Sequence, residues 1–501
     1  MRYQNPILPG FNPDPSICRA GDDYYLVTST FEYYPGIPVY HSRDLVNWTH
    51  IGNALQRAEE FPLMAVADSG GIWAPTIRYH EGLFYITSTL EKYGNFVIAA
   101  KDPAGEWSPP LWLPEIGGID PSLFFEDGHA WYCTNDRLDP AREAITLQEI
   151  DTATGKIIGQ RYTIWSGIGA HFIEAPHIYH IGGWYYLITA EGGTFWTHMV
   201  TVARSRAITG PYESCPHNPI LTSACDPRWQ VMCAGHGDLV EDPQGNWWMV
   251  HLGVRLARRT MGHLGRETFL TPIRWVDGWP LCIHEDRYPE LDEDGPLTVP
   301  QQPLAAFTAD MTCTDWELQW LFLRGMDRAR HQRIPGAMLL TGTPQTLADP
   351  APTFAALRPM GFDCTVEVTF AFDPITPGDE AGLAVRLSSM FNVTCTLGYG
   401  GVLTLTQHME DIHHVINQVP LNAGKVQLRM TADREKYTFY YKCDGEYRLL
   451  GAASTRFLAV EIAGKCFTGT VIGLYTASPD DTGTAMKVST FEMYKGESIH
   501  E

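Results

Sequence analysis

The sequence predicts an all-β protein, a five-bladed β-propeller followed by a β-sandwich. Three observations carry that prediction. One pattern occurs five times in the first 250 residues: a short apolar strand, a Gly- or Asp-bearing turn, then a strongly aromatic second strand. The units start about 46 to 62 residues apart, the scale of a four-stranded propeller blade. Past the Pro- and acid-rich stretch that ends at Pro303, the composition still favours strands but the pattern is gone.

The five units read DPSICRAGDDYYLVTST from Asp14, APTIRYHEGLFYITST from Ala74, DPSLFFEDGHAWYCTND from Asp120, EAPHIYHIGGWYYLITAEG from Glu174 and HGDLVEDPQGNWWMVHLG from His236. Turn signals such as Gly21-Asp22-Asp23, Glu126-Asp127-Gly128 and Ile181-Gly182-Gly183 divide the strands. VYHSRDLVNWTHIG, FVIAAKDPAGEWS, ITLQEIDTATGKIIG and MVTVARSRAITGPY supply the outer strands of four blades. His284 to Pro303 reads as a linker, so the propeller is expected over residues 1–300 and the sandwich over 301–501. In the second part FDCTVEVTFAF, AGLAVRLSS, KVQLRMTA, EKYTFYYKCDG and GTVIGLYTAS alternate as in a two-sheet sandwich, and KVSTFEMYKG reads as a closing strand.

Bulk properties narrow the partners. A net charge of −22 with no clustered Lys or Arg excludes a nucleic-acid face and otherwise favours solubility. No apolar run approaches the length of a membrane span, and the N-terminal residues lack the apolar core of a secretory signal. Eleven cysteines scattered from Cys18 to Cys466, without a C-x-x-C pair, read as free thiols, so a cytoplasmic protein is expected. Fifteen Trp and 23 Tyr suit a flat, polar ligand such as a sugar, although much of that content must be core.

In the repeat register Asp14, Ala74, Asp120, Glu174 and His236 occupy equivalent places, which radial repetition would gather at one end of the channel. A single Asp before Pro is commonly a turn residue; three acids in register are an active-site constellation. Cleaving a glycosidic bond needs one carboxyl group as acid and another as base or nucleophile, and a third can raise the acid's pKa by repulsion. Asp14, Asp120 and Glu174 supply that count, and the longer Glu174 suits the acid. Glu191 in TAEGGT competes for that role but falls outside the register. His236 can pair with a carboxylate or ligate a metal, against the alternative of a core histidine. Phe31 and Trp73 are stacking walls or plain core, with Trp73 the better wall. Arg266 can hold a sugar hydroxyl or balance the acids, whereas Arg255, Arg258 and Arg259 read as solvated.

Taken together, NPILPGFNPDPS, STFEYYPGIPVYHSRDLVNW, SGGIWAP, IDPSLF, EAPHIY with AEGGT, and GRETF with WVDGWP resemble glycoside hydrolase family 43, in its β-xylosidase/α-L-arabinofuranosidase branch. The resemblance covers the propeller almost end to end and extends to the C-terminal β-sandwich. It implies an inverting exo-glycosidase that needs no cofactor and releases xylose or arabinofuranose from short oligosaccharides or side groups. Asp14 would be the general base, Glu174 the general acid and Asp120 the carboxylate that tunes and orients that acid. His236 matches a channel histidine often near a calcium or sodium ion; Phe31, Trp73 and Arg266 match sugar-pocket residues. An aromatic from the sandwich, here Phe467, would close the pocket, and homo-oligomers are common among such proteins. The third-blade stretch CTNDRLDPAREAI lacks the Trp that xylosidases of this type carry, which leaves the xylose-versus-arabinose preference open. Two rival readings are an endo-acting arabinanase and a non-catalytic glycan-binding propeller. The sandwich lacks a row of Trp and reads as structural.

Overall fold

Alternating and fully apolar runs bounded by Gly and Asp turns fold into strands throughout, and the only helices among the described residues are three short 3-10 turns. The computed structural model describes residues 1–139, 142–258, 260–421, 424–464, 466–479 and 483–496, with backbone alone at 136–139 and 142. Arg259 and part of the third-blade stretch CTNDRLDPAREAI therefore lie outside the described residues.

Five antiparallel sheets, each with its strands hydrogen-bonded in chain order, form the blades. Their innermost strands are Ser16–Ala20, Ile72–His80, Ile119–Glu126, Glu174–Ile181 and Val231–Glu241. Each packs on its neighbours and the fifth returns to the first. The N-terminal segment seals that seam. Leu8 bridges Thr268, and the Asn5 side chain pairs with both backbone groups of Leu270 at 2.8 and 2.9 Å.

The sandwich buries one large apolar core between two sheets, with Trp320, Met338, Phe370, Leu383, Phe439 and Phe491 inside it. The closing strand is Ala485–Lys495, and it sits inside its sheet, paired with Ala337–Thr341 on one side and Cys364–Ala371 on the other. Met486, Val488, Phe491 and Met493 face the core, and a bulge at Ser489 breaks the alternation between Val488 and Phe491. The linker reading needs correction. Asp292–Asp294 pairs with Arg2–Gln4, and Glu293 is buried against His284 at 2.7 Å, so the acidic stretch straps the N-terminus down.

The two units share structure. Tyr33–Tyr34, from the first propeller blade, is the edge strand of one sandwich sheet and pairs with Leu321–Leu323. Phe11, Phe31 and Tyr33 join Leu321, Phe354 and Tyr475 in one apolar cluster across the boundary.

Candidate active site

At each blade's entry to the channel one residue adopts the left-handed backbone: Asp14, Ala74, Asp120, Ala175 and His236, with φ between 30° and 54°. This corrects the repeat register. In the fourth blade the equivalent residue is Ala175; Glu174 stands one position earlier, matching Trp73 and Ile119. The ladder irregularities between Trp73 and Thr76, Ile119 and Ser122, and Glu174 and His177 mark the same offset. Glu174 nevertheless faces the channel end, because the preceding position lines it too.

The residues gather around a cavity of about 670 Å³. Asp14, Asp120, Glu174, His236, Phe31, Trp73, Arg266 and Phe467 all line it, as the sequence predicts. Glu191 does not: its buried carboxylate accepts from Ile168 N, Ala170 N and the Thr201 hydroxyl, pinning the loop ahead of Glu174.

Asp14 is held from two sides. Arg266 Nη1 donates to its Oδ1 at 2.7 Å and the Ser29 hydroxyl to its Oδ2 at 2.6 Å. That hydroxyl also accepts from Ala74 N at 2.7 Å, so the second blade fixes the acid of the first. Arg266 is buried and binds Thr194 Oγ1 and the Phe467 carbonyl as well, which makes it an acid-balancing hub. Burial, with the charges of Glu174 and Asp14, pushes the Asp120 carboxyl well above its ordinary range; Arg266 and the Ala175 N–H that donates to it pull the other way. Asp120 thus grips the residue next to Glu174 and itself tends to hold a proton. Gly118, at φ 88°, leads into it where a Cβ would meet Asn135 O at 1.5 Å.

His236 Nδ1 lies 3.8 Å from Asp14 Oδ1, and burial lowers its pKa against the pull of Asp14. The calcium or sodium ion suggested for this place fits the donors poorly. Asp14 faces Arg266, the next carboxylate down the channel, Asp238, faces Arg78 at 2.9 Å, and among the described residues no three His, Cys, Asp or Glu side chains converge as ligands. None of the chemistry proposed for the pocket passes through a metal.

Several residues here escaped sequence reasoning. His198 lines the pocket as a neutral imidazole, driven down to about 3 by burial, with Nδ1 bound to Cys233 O. Asp238, Arg78, His177, Tyr179 and Ser16 plug the channel beneath. Asp238 stands where other blades carry Ser16, Thr76, Ser122 and His177, and a lone acid in that series was the available signal. Arg255, expected in solvent, is instead a two-pronged partner of the buried Glu267, at 2.6 and 2.8 Å. Arg258 is exposed, beside Glu435.

The trio of channel-end acids on a five-bladed frame coincides with a match to the model of glycosyl hydrolases family 43 over residues 3–280. The chain belongs to that family. It is a glycoside hydrolase, and residues 310–494 match the β-xylosidase C-terminal concanavalin A-like domain. It is 38% identical to the non-reducing end α-L-arabinofuranosidase BoGH43B of Bacteroides ovatus, over 96% of this chain and 92% of that protein. It is 34% identical to xylosidase/arabinosidase 43B of Humicola insolens, over 98% and 97% of the two chains. The solved structure described as Bacteroides ovatus xyloglucan PUL GH43B superposes with a TM-score of 0.94 at 36% identity, covering 99% of this chain and all of the other.

Proposed function

We propose that this hydrolase is exo-acting and inverting, and releases xylose, arabinofuranose or both from the ends of xylo-oligosaccharides or arabinose-bearing glycans. The observation that carries the reading is one pocket holding Asp14, Asp120 and Glu174 beneath aromatic walls. The names of the relatives point to the same two sugars. Phe467 reaches in from the sandwich to line the same pocket, which favours a blind site over the open cleft of an endo-acting arabinanase.

In this mechanism Asp14, aimed by Arg266 and Ser29, takes a proton from water as the water oxygen bonds to the anomeric carbon. Glu174 gives its proton to the leaving oxygen as the glycosidic bond breaks. Asp120 keeps that proton available and holds the strand entry beside Glu174 through Ala175 N–H. Inversion calls for the two carboxyl groups about 6.5–9.5 Å apart, so that water fits beside the base. The free thiols of all eleven cysteines support placement in a reducing, cytoplasmic compartment.

Paired kinetics on 4-nitrophenyl β-D-xylopyranoside and α-L-arabinofuranoside test the substrate class, and proton NMR of the first-formed sugar tests the stereochemistry. Turnover of neither glycoside sinks the substrate reading. A product that keeps the substrate's anomeric configuration sinks inversion.

A further inference from the structure

The chain has 15 Trp and 21 Phe, and among the described residues only Phe172, Phe195, Trp196 and Trp229 are exposed. These four meet in one place. Phe172 and Phe195 line the mouth of the acid-bearing pocket and flank Gly193, whose Cβ position lies 3.1 and 3.6 Å from the two rings. Trp196 follows directly and meets Trp229 edge-on, with ring centroids 6.0 Å apart. Trp229 in turn lines a second hollow of about 340 Å³ with Leu256 and Ala257.

Every other described Trp and Phe is at least partly buried, while these four leave an aromatic rim in water, and contiguous apolar surface of that kind marks a binding site. The backbone agrees. Phe172 and Trp229 both sit in the left-handed region, at φ 50° and 53°, where bulky side chains are strained outliers. A pyranose offers a flat C–H face to such rings while its hydroxyls stay hydrated at the edge. The guanidiniums beside Trp229 are already paired, Arg228 with Asp226 and Glu290, Arg258 with Glu435, so the surface suits a neutral sugar over an anionic one.

We propose that the rim of Phe172, Phe195, Trp196 and Trp229 binds the leaving-group part of the substrate, the neutral sugar units beyond the bond being cut, and so selects for longer oligosaccharides. This rests on the proposed function and assigns the surface that the third blade, without its Trp, does not supply.

The test compares parent and the Trp196→Ala/Trp229→Ala double variant on xylobiose, xylohexaose and the 4-nitrophenyl glycoside that the parent cleaves. In the parent, kcat/KM rises from xylobiose to xylohexaose; in the variant that rise disappears, so the hexaose-to-aryl ratio falls about tenfold. Binding of xylohexaose to a Glu174→Ala protein, read by calorimetry, weakens by a similar factor when the two Trp changes are added. An unchanged chain-length dependence together with unchanged binding overturns the rim. So does a kinetic change that tracks loss of a dimer in sedimentation, which would mean that a second copy covers these rings. A parent inactive on every glycoside, aryl or oligomeric, overturns the proposed function itself.

Discussion

The propeller axis and the sandwich core are both enclosed by antiparallel strands, yet one is filled with charge and the other is dry. Five blades converge on their first strands, so every innermost strand must place side chains in one narrow space fed by solvent at its mouth. Polar groups survive there because neighbours satisfy them: Arg78 with Asp238, Arg266 with Asp14, Ser29 with Asp14. The sandwich sheets face each other across a broad slab, where alternation along the strands puts Leu, Val, Phe and Met inside. Radial packing makes a site; face-to-face packing makes a buttress. The sandwich touches the chemistry through one loop, at Phe467.

The comparison breaks first at the acids. Glu174→Ala and Asp14→Ala should each cost about 10²–10⁴ in kcat on a natural disaccharide. An aryl leaving group needs little protonation, so Glu174→Ala should spare the 4-nitrophenyl glycoside, whereas Asp14→Ala should hurt both alike. If Glu191→Ala instead produces the leaving-group-dependent loss, the channel-end trio is not the catalytic set.

Asp120→Asn sharpens the electrostatic half. Burial and the charges of Glu174 and Asp14 push the Asp120 carboxyl up, so two negative charges side by side are disfavoured here. Removing Asp120's charge lets Glu174 lose its proton sooner, so the basic limb of the pH–rate profile moves to lower pH. A limb that stays in place or moves up contradicts the tuning role.

Phe467→Ala probes the place where the sandwich lines the pocket. Its carbonyl accepts from Arg266, its N–H donates to Ser69 Oγ at 2.9 Å, and its ring lies 6.2 Å from Phe31. The backbone bonds survive the substitution and only the wall is lost. KM should rise about tenfold with kcat much less affected, because the ring contributes to ground state and transition state alike. An unchanged KM would reduce the sandwich to a buttress alone.

The same contrast explains what was readable in the chain. Blades and sandwich strands were legible because alternation and turn chemistry are local. The acids were legible because Asp-Pro recurs at strand starts. The one-residue offset that puts Ala175, not Glu174, at the left-handed position was hidden, since Glu-Ala-Pro aligns equally well either way until the backbone is known. The Arg78–Asp238 plug joins residues 160 apart, and Tyr33–Tyr34 pairs with a strand almost 290 residues later. Such pairings follow from ring closure and domain docking, for which no local periodicity exists. His198 sits between strands and carries no register at all, and Phe467, likewise between strands, was reachable only through the family resemblance.

The smallest expected effect lies at the seam between the two regions, where the sandwich's Arg386 enters a pocket of propeller acids. That guanidinium donates to Asp68 at 2.7 Å and lies 3.6 Å from Glu32, whose Oε1 has no hydrogen bond among the described residues. Burial would raise both acids. For Asp68 the Arg386 charge and the Ser389 bonds outweigh it and hold the carboxyl low, whereas Glu32, left with the remainder, is pushed up to about 7. The unfolded chain releases that proton near 4.5, so between those values the folded state binds more protons and stability falls as pH rises. Above about 7 the group adds no further slope. Glu32→Gln has no proton to lose, so its unfolding free energy relative to the parent should improve from pH 5 to pH 8, by on the order of 1–2 kcal/mol. Urea denaturation at the two pH values measures it. A difference between variant and parent that stays constant, or that favours the parent more at pH 8, would mean that Arg386 keeps Glu32 ionised and that the seam is as fully paired as the channel.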